Sequence, residues 1–358
     1  MALKIFITGA TGYIGGDTLH NLYAKHPDHQ YTALVRTKDK AAIVEKAYPN
    51  VQIVIGDLDN SELLEEQASK ANVVLRMSTI FVLSRDDTNS VQTLPMPLIT
   101  QVRRKRLLLA SSKDILETPV NPDIGFTLED SEAGRLGEHS DKEYNDWTAV
   151  DELTHLPASA FHRNVDEIVL ETGEKHGDVV RTAIVCPPTI YGKGRGPVAT
   201  RSRQAYELTK LILTGKYIPV VGSGKARWNN VHVSDLASLF TLLVEEAGNP
   251  TADKQSELWG SKGYYLAENG EHVWTDLAVR IGQECTKQGY TSNLEKKSLT
   301  KEAALDQAGF EAVSWGWNSR GKAERAKHLL GWKPSCPSIE AEVPNMVQEE
   351  HDLLSKKA

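Results

Sequence analysis

A short apolar strand that breaks into three glycines, spaced three residues apart, and resumes as a helix is the most restrictive feature of this chain. Lys4-Ile5-Phe6-Ile7-Thr8 carries the β-branched and aromatic residues that suit a strand. It runs into Thr8-Gly9-Ala10-Thr11-Gly12-Tyr13-Ile14-Gly15, after which apolar residues fall at helical spacing through Leu19 and Leu22. Glycines so placed allow a tight turn, close approach of the backbone to an anion, and close packing of the helix on the strand. The helix start supplies unpaired N–H groups and a partial positive charge. Gly9, Thr11, Gly12, Tyr13, Ile14 and Gly15 therefore form the expected cradle for the pyrophosphate of a dinucleotide.

The rest of the first hundred residues supplies the context that motif needs. Strand candidates at Tyr31–Val35, Val51–Ile55 and Asn72–Leu75 alternate with helical stretches from about Asp39 to Ala47 and from Ser61 to Ala71. Such alternation predicts parallel βαβ units with right-handed crossovers, hence an α/β fold with a Rossmann-type doubly wound parallel sheet. The pattern weakens between Arg76 and Glu138, where Pro95 and Pro97 argue against a full crossover helix before the strand Arg106–Ala110. The basic run Arg103-Arg104-Lys105-Arg106 is expected to be a solvated turn. Periodicity returns in a helix from Phe161 to His176, with Phe161, Val165, Ile168 and Val169 as its buried stripe. A strand, Val179–Val185, follows and ends at Cys186-Pro187-Pro188. From Gly192 the chain is richer in Gly and Trp and suggests a smaller C-terminal substrate lobe. We expect a dinucleotide-binding domain over 1–191, with elements returning near 229–247 and 262–268, and the lobe over 192–228 and 248–358.

Composition narrows the class of function. Among 358 residues, 41 Lys+Arg against 48 Asp+Glu leave a net charge of −7, which offers no general attraction to nucleic acid or to an anionic membrane. Cys186, Cys285 and Cys336 are odd in number and far apart, so neither a disulfide framework nor a zinc ribbon is expected. No apolar stretch reaches the roughly 18 residues of a membrane span. The start of the chain shows no signal-peptide pattern. A cytoplasmic protein with a small-molecule substrate, no metal, no nucleic acid and no membrane partner is the expectation.

Further positions bear on the ligand. The second strand ends in Val35-Arg36-Thr37-Lys38, where NAD-binding folds place a carboxylate for the ribose 2′-OH. The Arg36 guanidinium suits a 2′-phosphate, so NADP is expected ahead of NAD. Asp57-Leu58 closes the third strand, and its carboxylate either receives the adenine amino group or caps a turn. Gly222-Ser223-Gly224-Lys225-Ala226 imitates a phosphate loop but lacks the first glycine and the metal-binding hydroxyl. Trp315 and Trp317 are expected to pack the lobe, and His20, His26 and His29 to lie exposed.

The ordered matches resemble the extended short-chain dehydrogenases/reductases, the NAD(P)-dependent epimerase/dehydratase superfamily. They comprise the glycine loop, Asp57-Leu58, Pro187-Pro188-Thr189-Ile190-Tyr191-Gly192, Val231-His232-Val233-Ser234-Asp235-Leu236-Ala237 and Leu330-Gly331-Trp332-Lys333-Pro334. The resemblance implies that Asp57 and Leu58 hold the adenine, that Pro187, Pro188 and Thr189 lie beside the nicotinamide, and that a homodimer is the family's habit. It also exposes a departure. The family's catalytic Tyr-x-x-x-Lys is absent from Leu156–Asp166, and Tyr206 with Lys210 lies after the Pro-Pro strand, in the wrong place. Ser111 and Ser112 stand where the family has its Ser/Thr, and Ser112, Tyr144 and His162 are the candidate catalytic groups. The expected function is an NADP-preferring oxidoreductase acting on a carbonyl or alcohol of a small molecule. The alternatives are a nucleotide-sugar epimerase or dehydratase with bound NAD, and a non-catalytic NAD(P)-binding regulator.

Overall fold

The computed structural model of the protein describes residues 2–77, 106–111, 135–157, 160 and 163–356. Its first strand, β1 (Lys4–Thr8), buries four of five residues because it lies mid-sheet with helices on both faces. After it come α1 (Tyr13–Lys25), β2 (Gln30–Val35), α2 (Lys38–Ala47), β3 (Val51–Ile55), α3 (Ser61–Lys70), β4 (Val73–Arg76) and β5 (Arg106–Ser111). Thr37 and Asn60 cap α2 and α3, each side chain accepting from a backbone N–H three residues on.

The middle of the chain holds β6 (Tyr144–Asn145), α4 (Val150–Thr154), α5 (Arg163–Lys175), β7 (Val180–Cys186), β8 (Thr189–Tyr191), α6 (Gln204–Gly215), β9 (Ile218–Val221), β10 (Arg227–His232) and α7 (Val233–Gly248). The last part holds α8 (Gln255–Leu258), β11 (Tyr264–Leu266), β12 (Glu271–Val273), α9 (Trp274–Lys287), β13 (Lys296–Leu299), α10 (Lys301–Ser314), β14 (Gly321–Lys322), α11 (Arg325–Leu330) and α12 (Ile339–Ser355). Seven strands form one sheet in the order β3-β2-β1-β4-β5-β7-β11, every neighbour parallel. The chain moves outward from β1 through β2 to β3 and then returns to β1's other side as β4. That reversal opens a crevice at the carboxyl ends of β1 and β4, the usual ligand position in such sheets.

Two cores result. The larger lies on the main sheet beneath α1, α2 and α7, and includes Ile5, Ile7, Leu19, Leu22, Val73, Leu75, Ile184 and Phe240. α7 lies along α1, joined by Asn21 Nδ2 donating to Thr241 Oγ1 at 2.8 Å and by His26 with Glu245 at 2.7 Å. The second core fills the C-terminal lobe between α6, α9, α10 and α12. Trp315 and Trp317 are buried there with Trp228 and Trp274, in keeping with a packing role. Among the described residues no helix is long and apolar enough to cross a membrane.

Two details differ from expectation. His20, His26 and His29 are half-buried, because His20 meets the Tyr48 hydroxyl, His26 meets Glu245, and the rings of His26 and His29 stack at 4.8 Å. On α5 the buried residues include Asp166, Val169, Leu170, Thr172 and Gly173, while Val165 and Ile168 are only partly buried. The apolar count placed the stripe too far round the helix, because a buried carboxylate is invisible to it. Phe161 lies outside the described residues.

One buried carboxylate ties three distant segments of the chain together. Asp146 is fully buried; its Oδ1 accepts from the N–H groups of Glu324 and Arg325, and its Oδ2 from that of Leu266. Burial pushes its carboxyl up to about 6, against the pull of those three donors. Asp146→Asn turns an amide N–H₂ toward one of them and leaves a buried donor unmatched. Urea unfolding at neutral pH is expected to show a loss of about 1–3 kcal/mol.

Candidate nucleotide site and reaction edge

The crevice is built by the glycine loop. Gly9 has φ +76°, and a Cβ there would lie 2.7 Å from the Met77 carbonyl oxygen at the end of β4. The Gly12 N–H donates to Gly9 O at 2.8 Å and closes the turn. A Cβ on Gly15 would fall directly on Gly9 O, so α1 rests on the loop with no side chain between. Ile14 is buried, whereas Thr11, Gly12 and Tyr13 are partly exposed around the mouth. No side chain caps α1, and its first turn holds no acidic residue. Its leading N–H groups and positive dipole end are thus left for an anion, and this cradle fits a pyrophosphate.

The second anchors lie along the same edge. Arg36 follows β2, is exposed, and has no ion pair among the described residues. Asp57 is exposed and its Oδ1 accepts from Asp59 N at 3.1 Å, while Leu58 packs against the small core of Phe6, Leu34 and Leu64. The turn role of Asp57 is therefore present in the structure and leaves its other oxygen outward. Beyond β7, Pro187 and Pro188 lead into β8, where Thr189 is fully buried and its Oγ1 has no hydrogen-bond partner among the described residues.

From Tyr191 the chain crosses back over α1 as a strap. Tyr13 Oη donates to Gly192 O at 2.6 Å, and Gly196 lies backbone to backbone on Gly16. Asp17, completely buried in α1, receives Arg195 N at 2.7 Å, Nε at 3.1 Å and Nη2 at 2.6 Å. The guanidinium cancels a negative charge that would otherwise sit near the anion cradle.

These observations match what comparison with known proteins finds. Residues 9–143 match the NAD(P)H-binding family and residues 139–254 the NAD dependent epimerase/dehydratase family. A protein of Acremonium sp. named oxidase ucsJ is 36% identical, with 99% of each chain covered. The chain belongs to the NAD-dependent epimerase/dehydratase family. It is also 27% identical to an uncharacterized protein of Saccharomyces cerevisiae, over 93% of this chain and 95% of that one. Among solved structures, dTDP-glucose 4,6-dehydratase of Bacillus anthracis in complex with NAD has a TM-score of 0.63 at 16% identity, covering 98% of this chain and 97% of that one. UDP-glucuronic acid 4-epimerase of Bacillus cereus, in complex with UDP-glucuronic acid and NAD, has a TM-score of 0.60 at 14% identity, covering 99% and 100%. These two share the fold.

Of the three catalytic candidates, Ser112 and His162 lie outside the described residues. Tyr144 is buried in the larger core, with Lys142 Nζ 4.5 Å from its ring centre. Its strand β6 pairs with Gly321 of β14, and Gly321 lines a small pocket with Cys186, Pro187, Pro188, Leu266 and Glu268. Other groups at this edge escaped the sequence reading. Arg76, at the end of β4, has a buried Nη1 without a partner among the described residues, and burial lowers its guanidinium to about 10. Asp166 is buried on α5 beside Tyr264. The one available signal was helical position, since Asp166 stands three and four residues before the buried Val169 and Leu170. Among the described residues no cluster of three His, Cys, Asp or Glu could hold a metal ion.

Two outcomes are expected. Arg195→Met strands the Asp17 carboxylate, and denaturant titration should show a loss of about 3 kcal/mol, much of it recovered when Asp17→Asn is added. Burial, the leading influence, pushes the Asp166 carboxyl up to about 7, although the Tyr264 hydroxyl and Arg163 oppose it. In the unfolded chain an Asp titrates near ~3.9, so across that window the native protein holds the extra proton. This contribution to stability is full below pH ~4 and lost as pH rises through about 7. Melting curves from pH 5 to 8 should therefore fall more steeply for wild type than for Asp166→Asn.

Proposed function

We propose that this chain is an NADP-preferring oxidoreductase that interconverts a carbonyl and an alcohol on a small molecule. The observation that carries the cofactor part is the uncapped start of α1 set on a glycine loop that admits no side chain. In this reading the N–H groups of Thr11, Tyr13 and Ile14 hold the pyrophosphate over the turn made by Gly9, Gly12 and Gly15. Asp57 and Leu58 take the adenine, and Pro187, Pro188 and Thr189 orient the nicotinamide. The exposed Arg36 guanidinium supports NADP, because it supplies charge for a 2′-phosphate where an NAD site needs an acceptor. A bound nicotinamide supplies or accepts the two electrons at its C4, and the protein's share is to position the reacting oxygen and manage its proton. The name oxidase carried by the Acremonium relative supports redox chemistry over simple binding.

A nucleotide-sugar epimerase or dehydratase is the second reading, favoured by the solved neighbours named above. The missing Tyr-x-x-x-Lys and the exposed Arg36 weigh against it.

Isothermal titration with NADPH and NADH tests the proposal. NADPH should bind at least tenfold tighter, roughly 1.4 kcal/mol, and Arg36→Glu should abolish or reverse that preference while NADH affinity holds. Equal affinities would end the NADP assignment, and binding of neither would end the enzyme reading.

A further inference from the structure

The missing dyad leaves the reaction without a proton donor, and the structure holds an unassigned buried set of titratable groups beside the place where it would act. Asp166 Oδ2 lies 3.2 Å from Tyr264 Oη, both groups buried between α5 and the edge of the main sheet. Cys186 stands two residues on from Ile184, the register partner of Tyr264, on the same face of the sheet, which sets its thiol beside that hydroxyl. Cys186 ends β7 immediately before Pro187, is partly exposed, and lines the small pocket with Pro187, Pro188, Leu266 and Glu268. Asp166–Tyr264–Cys186 thus runs from the interior to the carboxyl edge of the sheet, where the proposed function places the nicotinamide.

A hydroxyl has one proton and cannot donate to two acceptors at once. When Asp166 is protonated it donates to Tyr264, Tyr264 donates to the Cys186 sulfur, and the thiol proton is turned away from the tyrosine. When Asp166 is ionised, every bond reverses and the thiol proton turns inward to the tyrosine. The chain therefore has two orientations that differ by one proton in total, the one on Asp166.

We propose that Cys186 is the proton donor to the substrate oxygen and that Tyr264 and Asp166 form the relay that reprotonates it. The inference rests on the carbonyl-reductase reading above. As the substrate carbonyl gains two electrons and a hydrogen at carbon, the new C–O⁻ takes the Cys186 S–H proton. The sulfur takes the Tyr264 O–H proton and the tyrosine oxygen takes the Asp166 carboxyl proton, which leaves one carboxylate and one neutral alcohol. Alcohol oxidation runs the same transfers backwards. Burial holds the Asp166 carboxyl at about 7, so it is able to both give and regain the proton near neutrality. The groups facing it are Arg163 and Glu167 on α5 and Tyr264 on β11, with Cys186 on β7 beyond the tyrosine. Arg163 lies 3.1 Å from Glu167, so the local pair adds little net charge. Tyr264 and Asp166 act through Cys186 and are positioning residues.

Two measurements decide the matter, one of them independent of substrate. Alkylation of Cys186 by iodoacetamide, followed by peptide mapping to separate it from Cys285 and Cys336, is recorded from pH 5 to 10. Wild type should show an inflection near pH 7 that is absent in Asp166→Asn and Tyr264→Phe; superimposable profiles for all three proteins overturn the relay. NADPH oxidation is then followed with a panel of aliphatic aldehydes, aromatic aldehydes and 1,2-diones. Cys186→Ala should bind NADPH as wild type does and lose about 10²-fold or more in rate, and Tyr264→Phe should shift the pH profile. A Cys186→Ala variant with wild-type turnover sinks the donor and leaves the oxidoreductase reading standing. A wild-type protein that binds NADPH and reduces nothing on the panel overturns both.

Discussion

The rest of the molecule is arranged around a contact that no side chain could survive, the backbone of α1 resting on the carbonyl of Gly9. It brings the helix start to the end of β1 and keeps the N–H groups of the first turn unspent. A helix held so close must be braced along its length. Asp17 binds the strap that returns from β8, and Asn21 and His26 bind α7. The anion cradle is therefore the exposed end of a helix fixed at three points. Its rigidity comes from elements as far as 220 residues away in sequence.

How much of this could be read in advance follows from which forces leave a periodic trace. The alternation of strands and helices through Leu75 was legible because burial on both faces of a sheet demands continuous apolar runs, and burial on one face of a helix demands every third or fourth residue. The glycine loop was legible because the absence of a side chain is itself a residue type. Asp17 with Arg195 was not, since the partners lie 178 residues apart and each alone reads as a surface charge. Asp166 was missed for a related reason: a buried carboxylate breaks the apolar stripe that locates a helix face. Tyr144 entered the list of candidates as the only tyrosine between Ser140 and Gly177, and its burial depends on a pairing with Gly321 that local pattern does not carry.

The buried acids share a theme. Asp17, Asp146, Asp166 and Asp235 are all enclosed, and each receives donors from a segment distant in the chain. Asp235 accepts the N–H groups of Ser335 and Cys336, fastening the last turn of chain before α12 to the start of α7. Apolar contact alone would allow these segments to slide by a residue. A carboxylate that must match particular N–H groups fixes the register, because a misplaced charge in the interior costs several kcal/mol.

The position of β11 has a consequence for how the chain comes off the ribosome. The strand that completes the main sheet lies at residues 264–266, after much of the lobe has been made. Until then β7 is an open edge, and Asp146 waits for Glu324 and Arg325 before its carboxylate is filled. A nascent chain emerging in order would first assemble β1 to β5, then hold β7 with one edge open through the synthesis of nearly 80 further residues. Exposure to chaperones and to premature association is greatest in that interval, which ends when β11 has been translated, with about a quarter of the chain still to come.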